Sequence, residues 1–220
     1  MIIEPTPESY RTSTLKKEAF LHAYLKEDAI IRFLKSDSSK FRILPLGNLE
    51  RENRWSAFQI ESVGGYHPAK MGNYNQFMTE TGWNYPGILQ MLNVKYLISE
   101  EQFEHPLFKL VHEGSLYVPD KYVNAYVYQF NHFENRFFFA KKISTLKVEE
   151  IFTQMKTPGF SPKLNSFITE IMPTFEYDET AKVELVHWSP NRIKIKTVAQ
   201  SPQFLVMSEI YYPNGWTIDG

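Results

Sequence analysis

Cysteine is absent from the 220 residues, which excludes disulfides and thiolate metal sites. A basic excess is absent as well: 24 Lys and Arg against 25 Asp and Glu leave a net charge of −1. A nucleic-acid footprint needs clustered cations. The pairs Lys16-Lys17, Lys141-Lys142 and Lys194/Lys196 read as dispersed, solvated positions, so no nucleic-acid partner is expected. No stretch approaches the roughly 20 apolar residues that a membrane-spanning helix needs. There is no Gly-x-Ser-x-Gly elbow, no P-loop and no paired-histidine metal motif. The six histidines (His22, His67, His105, His112, His132 and His187) lack zinc-type spacing. Neither a metal nor another cofactor is expected, and no internal repeat stands out.

Aromatic residues are what the chain has in plenty: 17 Phe, 13 Tyr and 4 Trp, 15% of the total. Such rings suit strands, sugar-facing surfaces and membrane interfaces, and they also fill cores. Apolar content of 43% with 22% charged residues is that of a folded protein, with length for one large domain or two small ones.

One stretch organises the rest: Gly64-Gly65-Tyr66-His67-Pro68-Ala69-Lys70-Met71-Gly72-Asn73-Tyr74. Paired glycines permit positive φ or close approach by another segment. Pro68 suits the first turn of a helix, so the spacing predicts a helix over 68–79. Tyr66, His67 and Lys70 then gather at its N-terminus, where an anion is favoured. The alternative is that His67 caps the helix, Lys70 is solvated and the aromatics pack.

In chain order, residues 1–38 read as a Pro/Ser/Thr-rich lead-in and a helical region over 15–35, in which Asp28 starts a second helix as its N-cap. Residues 39–157 read as a mixed α/β lobe. Its strands are expected at 41–45, 94–98, 108–112 and 115–118 (about a Glu-Gly turn), and 122–130, with 136–143 as the neighbour of the last. A polar loop is expected over 47–54 and helices over 88–92 and 148–156. Residues 158–220 read as strands at 165–171, 181–188, 192–198 and 204–212. The fold class is α+β: the mixed lobe followed by an incomplete antiparallel β-sandwich. A sheet ending at Gly220 would expose an unpaired edge, so the natural protein is expected to continue.

Three segments together resemble the YfhO family of polytopic bacterial membrane proteins. They are Ser62 to Lys70 with Tyr74, Met91-Leu92-Asn93-Val94-Lys95-Tyr96-Leu97-Ile98, and Ser208-Glu209-Ile210-Tyr211-Tyr212-Pro213 with Gly215-Trp216. Asp28 to Leu34, Tyr128, Asn131 and Arg136 add to the likeness. The resemblance implies a soluble region on the extracytoplasmic face of the cytoplasmic membrane, cut free of its membrane helices. The parent would transfer sugar from a lipid-linked carrier to a cell-envelope glycopolymer. Its catalytic acidic residues would lie on loops between membrane helices, leaving this piece a non-catalytic docking or acceptor-holding role. Its partners would be those helices and a lipid-linked sugar or envelope glycan. Candidate contacts are Tyr66, His67, Lys70, Tyr74, Lys95, Tyr212 and Trp216. Lys95 also reads as a residue at a sheet edge, and Tyr211, Tyr212 and Trp216 as core. A free-standing carbohydrate-binding module and an assembly domain for partner proteins are the other readings.

Overall fold

The computed structural model describes residue 18 and residues 20–66, 71–119, 121–212 and 215–219. The chain divides into two units, Met1–Tyr66 with Tyr96–Asn131, and His67–Lys95 with His132–Gly220. The fold is α+β, with one five-stranded sheet and three two-stranded ones.

In the first unit, α1 (Ala29–Ser36) starts where Asp28 takes extended backbone and its carboxylate accepts from Ile31 N–H at 2.9 Å. This is an N-cap, as the sequence predicts. Ile30, Ile31 and Leu34 recur at helical spacing and are buried. Residues 20–24 are helical too, and the chain leaves the helix before Asp28, where the second helix is expected to start. There Arg54 takes the carbonyls of Tyr24 and Lys26 at 2.7 and 2.5 Å.

The large sheet runs β2 (Glu61–Ser62), β1 (Arg42–Pro45), β3 (Val94–Ser99), β5 (Lys121–Phe130), β4 (Phe108–Val118). Strand β4 is continuous, where two strands about a turn were expected. Gly114 makes no turn. A Cβ there would stand 2.7 Å from Cβ of Ala29, so the glycine lets α1 lie close against β4. Both neighbours of β5 are taken, by β3 and β4. The segment after Arg136 therefore pairs elsewhere, contrary to expectation. The loop expected over 47–54 holds two short 3-10 helices, Gly47–Arg51 and Arg54–Phe58, pinned by buried Leu49 and Trp55.

Tyr96 is core, 6% exposed, and its hydroxyl donates to Asp37 Oδ2 at 2.8 Å. Burial first, then the hydrogen bond and charge of Asp37, push the phenol well above its ordinary 10.0. The folded chain thus holds this proton more tightly than the unfolded chain does. The resulting stability is complete below the unfolded value and is lost as pH rises through the alkaline range above it. Urea unfolding of the wild type should weaken with rising pH above about 10, and Tyr96→Phe should show a flatter profile. Equal slopes would refute the linkage.

In the second unit, α2 (Gly72–Thr81) begins four residues later than expected, and residues 67–70 lie outside the described residues. Next, α3 (Pro86–Met91) has proline in its first turn. Strand β6 (Phe137–Phe139) pairs antiparallel with β11 (Leu205–Met207). Strand β7 (Ile143–Thr145) pairs parallel with β8 (Ser166–Ile168), and α4 (Val148–Met155) provides the crossover that a parallel pair requires. The hairpin β9 (Lys182–Ser189) and β10 (Arg192–Val198) lies against β6 through Trp188 and Phe137. The four strands expected after residue 157 are thus present as β8 to β11, distributed over three two-stranded sheets.

Candidate functional site

The site is built outward from Asn93. It is fully buried, with φ at +56°, a left-handed position that asparagine tolerates better than most residues. From the turn before β3 its amide donates to the carbonyl of Glu134 at 2.9 Å, and its Oδ1 accepts from Arg136 at 3.2 Å. Arg136 is 3% exposed. Its Nε donates to Glu209 Oε1, and its guanidinium lies 4.8 Å from the ring centre of Trp188. Ser208 closes the circuit: its N–H donates to the Arg136 carbonyl at 2.8 Å and its hydroxyl to the Met91 carbonyl at 2.5 Å. A planar five-donor cation between two side-chain acceptors and a ring face is a rigid clamp.

The clamp holds the root of a loop that continues as Ile210, Tyr211 and Tyr212. A second tie comes from the start of α2, where the Asn73 amide donates to the Tyr211 carbonyl at 2.8 Å. Trp216 donates from its indole N–H to the Ile210 carbonyl at 3.1 Å. Gly215 lies so close to Tyr212 that a Cβ there would be 2.6 Å from the ring. Tyr211, Tyr212 and Trp216 remain 66%, 52% and 40% exposed. The reading of these three as core is corrected: the loop is fixed by backbone carbonyls, which leaves its rings outward. Exposed aromatic faces on a held backbone can stack on sugar rings or sit at a wet apolar boundary.

The remaining candidates divide. Tyr66 is exposed in the first unit, its backbone gripped on both sides by Asn53 at 2.8 and 3.0 Å. Tyr74 is half-buried in the second, its ring 6.3 Å from that of Phe77. His67 and Lys70 lie outside the described residues. The paired glycines serve close approach: a Cβ on Gly64 would meet the Glu50 carbonyl oxygen at 2.8 Å, and Gly65 has φ +121°. Lys95 is not on an edge strand, because β3 runs between β1 and β5. Its ammonium lies 5.4 Å from the Phe133 ring centre, a packing role.

Sequence reasoning missed the joint role of Asn93, Arg136 and Glu209. The available signal was an asparagine directly before a buried strand. The first unit also carries an open groove of about 570 Å³ beside Phe103, His105, Phe108 and Tyr128. There His105 Nδ1 accepts from Leu107 N–H, and Phe103 stacks on Tyr128 at 4.0 Å. Among the described residues, no three His, Asp or Glu side chains are grouped to hold a metal ion. Comparison with family models, with curated proteins and with solved structures finds no match to this chain.

Proposed function

We propose that this chain is the water-facing, extracytoplasmic region of a YfhO-like membrane protein. In sugar transfer from a lipid-linked carrier to an envelope glycopolymer, it holds the acceptor glycan and leaves the chemistry to the parent's membrane portion. The observation that carries this reading is the outward aromatic group of Tyr211, Tyr212 and Trp216, anchored by the Asn93–Arg136–Glu209 clamp. Segments of the resemblance far apart in the chain meet there: Asn93 from the second, Ser208 to Tyr212 with Trp216 from the third, and Arg136. Rings presented by a preorganised backbone lose little entropy on binding a flat saccharide face.

The test is calorimetric titration of the 220-residue chain with purified envelope glycan. Saturable binding is expected, weakened about tenfold or more, roughly 1.4 kcal/mol, by Tyr212→Ala with Trp216→Ala. Both side chains are exposed, so the thermal midpoint should barely move. Absence of saturable binding, or equal binding by the variant, would sink the proposal.

A further inference from the structure

We infer that the outer face of the β9–β10 hairpin is a docking surface for an anionic lipid membrane. The inference rests on register and charge and does not need the glycan reading. Lys194 pairs with His187, Lys196 with Glu184 and Val198 with Lys182, with a bulge between Lys194 and Ile195. Paired residues share a face, and alternate residues along a strand return to it about every 7 Å. Arg192, Lys194, Lys196 and Lys182 thus point one way, accompanied by His187 and a single carboxylate, Glu184. All six are exposed. The opposite face carries Trp188, Ile193, Leu185 and Ile195, all half-buried, and Trp188 lies against Phe137 and Arg136. In a chain of net charge −1, four cations on one two-stranded face are a local concentration that the whole does not share.

None of the four forms an ion pair with another described residue. The hairpin is also held at its base. Asp178 accepts from Gln200 N–H at 2.7 Å and from Thr180 N–H and hydroxyl at 2.8 and 2.6 Å, joining the segments that enter and leave it. These donors hold the carboxyl below the usual range, the Gln200 N–H foremost.

Two further features select a membrane over a dissolved polyanion. The face carries no Phe, Tyr or Trp ring on which bases could stack. Val198 and Val186, 59% and 52% exposed, stand among the cations. Branched aliphatic side chains beside lysines suit the boundary between headgroups and acyl chains and gain nothing from a solvated polymer.

The test is sedimentation of the 220-residue chain with vesicles of phosphatidylcholine alone or with about one third phosphatidylglycerol. Binding to the anionic vesicles only, lost at high salt, is expected. Arg192→Gln, Lys194→Gln and Lys196→Gln together should weaken it on the order of 100-fold with an unchanged thermal midpoint. No preference for anionic vesicles would overturn the inference and leave the cations as guards against strand pairing. Retention on immobilised dextran sulfate without vesicle binding would overturn the choice of a membrane. Glycan titration by the same variant should be unaffected, so the two proposals fail separately.

Discussion

Replacing Arg54 with alanine should cost the first unit about 3–5 kcal/mol, the range for breaking a buried ion pair by removing one partner. Arg54 and Asp28 side chains are each 1% exposed and meet at 2.6 Å. Asp28 also accepts from the N–H groups of Ile31 and Tyr117, so one carboxylate ties the start of α1 to β4. Arg54 spends its other donors on the carbonyls of Tyr24 and Lys26, and its guanidinium lies 4.9 Å from the Phe58 ring centre. Alanine leaves the carboxylate without its cation and two carbonyls without this donor. Arg54→Lys keeps the charge but not the fork geometry, and should fall between wild type and alanine. The double variant Asp28→Asn with Arg54→Met should lose less than Arg54→Ala, because no isolated charge remains inside. Urea unfolding followed by Trp55 checks this, since Trp83, Trp188 and Trp216 all belong to the second unit. A cost below about 1 kcal/mol for Arg54→Ala would mean that solvent reaches Asp28.

Parts of this architecture are readable from local chemistry. An aspartate followed by Ile30, Ile31 and Leu34 announces a capped, one-sided helix, and the alternation in Lys121–Phe130 announces a strand. Gly114 shows where such reading stops. The same residue serves a turn or a close approach, and only the position of Ala29 decides between them. Arg54 sits in Arg51-Glu52-Asn53-Arg54, which is indistinguishable from a solvated loop until Asp28, 26 residues away, is seen beside it. Arg136 is hidden in the same way, with partners 43 and 73 residues distant.

The candidate site was legible only where its members are neighbours in sequence. Tyr211, Tyr212 and Trp216 form a group on any reading, but whether they face inward depends on the Asn73 and Ile210 contacts. Lys95 looked like an edge residue because a lysine in an apolar strand usually marks one. Here its ammonium lies over the Phe133 ring instead. The basic face of the hairpin needed more than the period-two pattern of Arg192, Lys194 and Lys196. The cross-strand register, bulge included, brings Lys182 to it.

Arg136→Ala should detach the aromatic loop before it unfolds the second unit. The guanidinium joins groups from three separate segments, with Glu209 on one side, Asn93 on another and Trp188 beneath. Glu209 retains 17% side-chain exposure, so it can turn toward water once unpaired. The global cost is therefore smaller than for Arg54, about 2–3 kcal/mol. The local cost is larger, because the Ser208 N–H to Arg136 carbonyl bond at 2.8 Å loses the side-chain brace beside it. Amide hydrogen exchange should then accelerate at residues 205–212 by far more than at β9 and β10, and Trp188 emission should change as the cation leaves its ring. Glycan affinity should fall at least as much as in Trp216→Ala, although Arg136 is buried and touches no ligand. Glu209→Gln keeps an acceptor for Arg136 and should retain most of the protection, which separates geometry from charge. Uniform loss of protection across the unit, with glycan binding intact in the folded fraction, would show that the clamp supports the core and not the aromatic surface.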